Sequence, residues 1–268
     1  MAETKKTTKR IMIWAHPRTR STILEMCLAA QPTIKAFHEP YIFVDLFAAD
    51  RVIDPDFPCM SDLTKAEVQR RLEADYEGYD TVLAKDIPVS IVNDMQYFPR
   101  GFIHAFIIRR PDKAIPSLYE KVNGLSSIVD WLKDPITTTS KLVPLDAVLS
   151  VAKYVKDELG QKPIIVDGDD LAAAPAATLQ KFCSDVGIPF SNSMLKWKPG
   201  NGDPFVNEHI MGSPVYDAVY KTATESTHFI VQKKDENNRP LPSDLPIEMV
   251  KLIEQSKPIY DELVKLMK

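Results

Sequence analysis

The chain has 268 residues, 44% of them apolar, and its 33 basic and 37 acidic side chains leave a net charge of −4. That apolar share supports a sizeable core, and no apolar run approaches the roughly 20 residues that a membrane span requires. The acidic balance argues against a general nucleic-acid or anionic-membrane binder, since both need a basic surface. Residues 1–10 carry Lys5, Lys6, Lys9 and Arg10 without an apolar signal core and read as a disordered tail. Residues 11–268, which no Pro/Gly/Ser-rich linker divides, read as a single domain. Cys27, Cys59 and Cys183 are odd in number and far apart, which fits reduced thiols of a cytoplasmic protein better than a disulfide frame or a metal site.

Ile11-Met12-Ile13-Trp14-Ala15 is a brief apolar run that reads as a buried strand. Pro17 lacks the N–H that a central ladder needs, so a turn starts at His16-Pro17. From Ser21 onward Ile23, Leu24, Cys27 and Leu28 recur at helical spacing. Arg18, Thr19, Arg20, Ser21 and Thr22 therefore gather where a strand meets a helix N-terminus, and amide donors there favour an anion such as phosphate. The stretch has no glycine and lacks the Gly-x-x-x-x-Gly-Lys-Ser/Thr form of nucleoside-triphosphatase loops. The plain alternative is Ser21 acting as an ordinary N-cap.

Thr33 to Phe37 reads as a second strand that delivers His38-Glu39-Pro40 at its C-terminal end, the end where open α/β sheets place ligands. Tyr41 to Ala49 is helical in pattern, residues 54–58 form a Pro-rich loop suited to folding over a substrate, and Ser61 opens another helix. Strands follow at Thr81 to Asp86, Gly101 to Ile108 and Pro163 to Asp167, with His104 expected as a core residue with a satisfied hydrogen bond. Helices are expected at Asp112 to Asn123, Leu145 to Leu159 and Leu171 to Val186, and a last one, from Pro246 to Lys268, should be interrupted at Pro258. Strands alternating with helices imply a parallel sheet with helices on both faces, a three-layer α/β sandwich. Trp197 to Gly202 has the composition of a flexible flap.

Taken in order, these motifs resemble those of sulfotransferases that use 3′-phosphoadenosine 5′-phosphosulfate (PAPS). Pro17-Arg18-Thr19-Arg20-Ser21-Thr22 is similar to their 5′-phosphosulfate loop, although Arg20 stands where many members have Gly. Arg109, with Arg110 as a substitute, and Ser117 eight positions on match the Arg and Ser that bind the 3′-phosphate. Val166-Asp167-Gly168-Asp169-Asp170 leading to Gly187-Ile188-Pro189 looks like a further shared segment, with Gly168 where many members have a Tyr that helps hold adenine. Looser echoes lie at Trp197, Lys198 and Gly200, and Trp197 or Phe229 could hold the base.

The resemblance implies a P-loop-like sulfotransferase fold, PAPS as co-substrate and no metal. It implies a hydroxyl acceptor, or less favourably an amine; the apolar and aromatic residues of 41–58, 131–144 and 205–220, the segments expected to line its pocket, favour a small lipophilic one, and charge and run length argue against a nucleic-acid partner or membrane span. Arg18 would stabilise the leaving phosphate and Lys85 would touch the phosphosulfate. Glu39 would act as general base, with His38 and Asp86 as rivals. A metal-dependent nucleotide kinase and a non-catalytic nucleotide-binding module are the alternatives, and no motif for oligomerisation is visible.

Overall fold

Short runs dominated by Ile, Val, Phe and Ala, without polar alternation, must be covered on both faces, and parallel sheets with crossover helices meet that demand. The computed structural model describes residues 7–49, 51, 59–127, 129, 132–198, 220–232 and 241–267. Its strands are β1 (Lys9–Ala15), β2 (Ile34–His38), β3 (Thr81–Asp86), β4 (Ile103–Ile108) and β5 (Ile164–Asp167). They form one parallel sheet in the order β2-β3-β1-β4-β5. β1 is central: Trp14 lies level with Asp86 of β3 and with Phe106 of β4. The chain runs outward to one side of β1 for β2 and β3 and to the other for β4 and β5. The crevice beside the C-terminal end of β1 is therefore a topological switch point, where such sheets bind ligands.

Alternation along β1 sorts the two cores. Met12 and Trp14 join Val82, Ala84, Phe106 and Ile108 on one face, while Ile11, Ile13 and Ala15 join Leu83, Ala105 and Ile107 on the other. The first face is covered by α4 (Pro111–Leu125), α6 (Leu145–Asp157) and α10 (Ile247–Leu266), with α2 (Pro40–Phe47) and α3 (Lys65–Glu73) over the β3 side. The second face is covered by α1 (Ser21–Ala29) and α8 (Pro175–Val186). The remaining helices are α5 (Pro135–Leu142), α7 (Gly168–Ala173) and α9 (Lys221–Thr224). The result is the expected three-layer sandwich. His104 accepts a 3.2 Å hydrogen bond at Nδ1 from Trp14 Nε1, and burial lowers its pKa to about 3, so it is the core residue anticipated. Among the described residues no helix is long and apolar enough to cross a membrane.

Several boundaries differ from the expectations. Lys9 and Arg10 belong to β1, not to a disordered tail: Lys9 N–H donates to Asp80 O at 2.9 Å, and Arg10 pairs with Asp75 at 2.7 Å. The third helix begins at Lys65 rather than near Ser61, because Thr64 is the N-cap whose hydroxyl accepts from Glu67 N–H at 3.1 Å. The helix expected over residues 171–186 is two helices. Asp167 caps α7 by accepting from the amides of Asp169 and Asp170, and Pro175 then starts α8. Conversely, α10 runs unbroken through Pro258, since Met249, Ile253 and Leu263 on both sides of the proline are buried in the first core.

Phe106 is fully buried in the strand beside β1. Phe106→Ala should cost about 3–5 kcal/mol, read in urea as a lower midpoint with an unchanged slope.

Candidate active site

The loop between β1 and α1 is tightly constrained. Arg18 (φ 68°) and Arg20 (φ 70°) both adopt the left-handed conformation, as does Glu39 (φ 48°) at the end of β2. For residues with a Cβ this costs roughly 1–2 kcal/mol each, so local contacts must hold them. Thr19 Oγ1 donates to His16 O at 2.9 Å, Arg18 Nε donates to Ser117 Oγ at 3.0 Å, and an Arg109 N–H donates to Arg18 O at 3.1 Å. Arg20 donates to Gly168 O at 3.0 Å and to Gln232 Oε1 at 2.8 Å, and it pairs with Asp169. Ser21 is the first residue of α1, not its N-cap; Arg20 holds that place and makes no side-chain capping bond. The first-turn residues Ser21, Thr22 and Ile23 open onto a cavity of about 610 Å³ that Arg18, Arg20 and Arg109 also line.

Cations outnumber carboxylates here. Asp169 alone receives Arg20, Arg109 at 3.0 Å and Lys113 at 2.9 Å. Burial would raise its pKa, but hydrogen bonds from Arg20 and Lys113 and the charge of Arg109 hold it at about 2. Burial lowers the pKa of Arg18, with Glu120 opposing and the charge of Arg20 reinforcing; burial and then Arg20 lower that of Arg109. Mutual repulsion of this kind is relieved by an anion. Arg110 does not substitute for Arg109: it pairs with Asp112 at 2.5 Å.

Gly168 has a steric reason. A Cβ there would lie 2.2 Å from the carbonyl oxygen of Thr19, so the N-terminus of α7 can pack against the loop only without a side chain. Trp197, a candidate for holding adenine, is buried in the second core and donates to Ser226 Oγ at 3.0 Å; Phe229 and Ser226 line the cavity and Trp197 does not. Lys198 is exposed, and Thr19 and Ser117 hold the loop through their hydrogen bonds. Gly200, the Pro-rich loop over residues 54–58, Trp131, most of the flap and residues 205–219 lie outside the described residues.

Glu39 stands on the wall of the same cavity as the arginines. One of its oxygens pairs with Lys85 and the other accepts from Tyr220 OH at 2.7 Å. Burial pushes the Glu39 pKa up, yet Lys85, His38 and the Tyr220 hydrogen bond together hold it at about 2. Lys85 thus meets Glu39 and is almost fully buried. Asp86 is committed elsewhere: its carboxylate accepts from the amides of Tyr41 (2.5 Å), Ile42 (3.3 Å) and Ile87 (2.8 Å), capping α2 from the end of β3. Burial and the charge of Glu39 push the Asp86 pKa up, against the amides of Ile87 and Tyr41. His38 remains beside Glu39, with Nε2 at 3.7 Å from Oε2.

Sequence reasoning missed Tyr220, Asp169 and His16. Tyr220 lies 181 positions from Glu39, and no motif announces it. Asp169 was visible only as half of an acidic pair. His16 is buried on the cavity wall, and burial, aided by the charge of Arg109, lowers its pKa to about 4, so the ring is neutral near pH 7.

A glycine-free, arginine-bearing loop at the switch point of a parallel sheet shares one cavity with a buried carboxylate. A family model described as a sulfotransferase domain matches residues 9–242, and the chain belongs to that family. Its fold is shared with the sulfotransferase domain of the Synechococcus PCC 7002 olefin synthase, at 14% identity and TM-score 0.51, covering 95% of this chain and 97% of that one. The sulfotransferase domain from the curacin biosynthetic pathway is similar at 13% identity and TM-score 0.53, covering 94% and 98%. Curated relatives from Arabidopsis thaliana are larger. Branched-chain-amino-acid aminotransferase-like protein 1 is 32% identical over 160 residues, 60% of this chain and 24% of that protein. Protein 2 of that name is 26% identical over 268 residues, 94% of this chain and 41% of that protein. The chain spans less than half the length of these two relatives.

Two outcomes follow from this geometry. Gly168→Ala forces α7 off the loop and should lower the melting temperature by several degrees, in line with about 1–3 kcal/mol of overpacking. Glu39 and Asp169 have folded pKa values of about 2, below the ordinary range near 4. Their ionised forms stabilise the fold above that range, and the contribution drains away as pH falls toward 2. Asp169→Asn should flatten this part of the stability-versus-pH curve, measured by urea unfolding at each pH.

Proposed function

We propose that the protein transfers a sulfuryl group from PAPS to a hydroxyl, or less favourably an amine, of a small acceptor with a lipophilic body. The observation that carries this reading is that Arg18, Arg20, Arg109 and Glu39 all line one cavity. The residues fit a donor with two anionic ends. Arg18, Arg20 and the first turn of α1 would take the phosphosulfate end. Arg109 and Ser117 would take the second phosphate, and they adjoin the first group through the Arg18–Ser117 bond of 3.0 Å. When bound, such a donor supplies an activated sulfuryl group on a phosphate leaving oxygen. Phe43, Leu46, Leu118 and Leu142 give the cavity an apolar side suited to the body of the acceptor.

Glu39 would remove the acceptor proton, and Arg18 would stabilise charge on the departing phosphate oxygen. A carboxylate held at about 2 by Lys85 is ionised throughout the working range but is a weak base. An anion in the arginine-lined cavity changes that balance, because negative charge nearby raises the proton affinity of Glu39 and competes for Lys85. Base strength would therefore rise when donor is in place, which limits wasteful proton uptake in the empty site.

Binding of 3′,5′-adenosine diphosphate should raise the melting temperature, by an amount that grows with ligand as RT ln(1 + [L]/Kd). A shift with ATP and magnesium but none with this nucleotide would favour a kinase instead. Incubation with PAPS and a metabolite library, read by mass spectrometry, should yield a product carrying one added sulfuryl group. Glu39→Gln should lower kcat by about 10²–10⁴ while leaving the affinity for adenosine diphosphate nearly unchanged.

A further inference from the structure

One charged residue interrupts the apolar middle of α1. Glu25, in Ile23-Leu24-Glu25-Met26-Cys27-Leu28, is 0% exposed. A carboxylate so placed is costly unless its oxygens are satisfied. Its Oε2 lies 2.8 Å from His38 Nδ1, whereas Oε1 has no hydrogen-bond partner among the described residues. A half-satisfied buried carboxylate is a poor stabilising device, so its presence calls for another role. His38 is itself buried and offers its second nitrogen, Nε2, toward Glu39 Oε2 at 3.7 Å. Carboxylate, imidazole and carboxylate thus lie in a line from the interior of α1 to the cavity wall. Tyr220 packs edge-on against the imidazole with ring centroids 5.0 Å apart, and Phe43 closes another side at 6.4 Å.

We propose that Glu25 is a positioning residue for proton transfer, fixing the His38 ring with its proton on Nδ1 so that Nε2 can receive the proton Glu39 takes from the acceptor. The proposal rests on the sulfotransfer reading and adds a destination for the proton. The acceptor O–H bond breaks as an O–H bond forms on Glu39. That bond then breaks as an N–H bond forms on His38 Nε2, and the resulting imidazolium faces the Glu25 carboxylate. Glu39 returns to its ionised form beside Lys85. Lys85 from β3 and Tyr220 before α9, both bonded to Glu39, adjoin this group, and Asp86 at the end of β3 interacts with Glu39 and Tyr220 through its charge. Glu25 is bonded to His38, the way an orienting carboxylate fixes the tautomer of a catalytic histidine, and its charge also reaches Tyr220.

The test uses the full chain with ¹⁵N-labelled histidine and two substitutions, Glu25→Leu and Glu25→Gln. Ring nitrogen shifts of His38 should show the Nδ1-protonated tautomer in the wild type and lose that preference in Glu25→Leu. With PAPS and an acceptor, both variants should lose about tenfold or more in kcat with the donor KM unchanged. Glu25→Gln keeps the shape of the side chain but removes its charge, and serves for the kcat measurement if Glu25→Leu does not fold, the tautomer then being read in the wild type alone. An Nε2-protonated His38 in the wild type, or the same tautomer in wild type and variant, overturns the proposal, as does an unchanged kcat in a folded variant. The tautomer measurement needs no substrate. A wild-type protein inert toward PAPS would defeat the sulfotransfer reading, while the ring shifts would still support or overturn the assignment to Glu25.

Discussion

Three cations from separate segments, Arg20 of the loop, Arg109 at the end of β4 and Lys113 in α4, converge on the carboxylate of Asp169 in α7. The pieces it joins cannot hold themselves. The loop contains two left-handed arginines, and α7 is a short helix whose first residue presses on the Thr19 carbonyl. Ion pairs that are mostly withdrawn from water are strong when multiply bonded, and leaving one partner alone is expensive. Asp169 therefore couples the loop, the β4 end and the β5 end into one rigid rim around the cavity. It also leaves its own cluster short of negative charge, since one carboxylate cannot balance the three cations it receives.

A second network, of opposite design, faces it. Glu39 is shared by Lys85 and Tyr220, and His38 joins it to Glu25. The rim is cation-rich and open to the cavity; this second network has two carboxylates to one lysine and is largely buried. On the proposed reading, an anion taken up by the rim would alter proton affinity in the buried network through its charge. The two networks sit at strand ends of one sheet, with β3 between β2 and β1.

Much of this was legible in the sequence. The five apolar runs, their alternation with helical spacing, and the polar residues at their C-terminal ends specify a parallel sheet and the edge that carries chemistry. Arg109 and Glu39 could be placed at that edge because each directly follows a strand, and Arg18 because it lies three residues past one. Other features were not legible, for identifiable reasons. Asp86 and Glu39 both sit at strand ends, and only the three-dimensional path of α2 shows that one is a cap and the other a cavity residue. Tyr220 and Asp169 act through contacts 181 and 149 positions long, which no local pattern encodes. Trp197 resembled a base-stacking residue but is spent on the second core. Glu25 was hidden because one charge in an apolar helix looks like an irregularity of the stripe.

The left-handed arginines carry a consequence for recognition itself. Loops that cradle phosphates with glycines are loose before the anion arrives and give up conformational freedom in binding it. Arg18 and Arg20 have fewer backbone states to lose, and their left-handed geometry is already enforced by Ser117, Arg109 and Asp169. The strain is met during folding rather than during binding. An anion entering this rim finds a preorganised receptor, and the free energy of the encounter is available for orienting it rather than for ordering the protein.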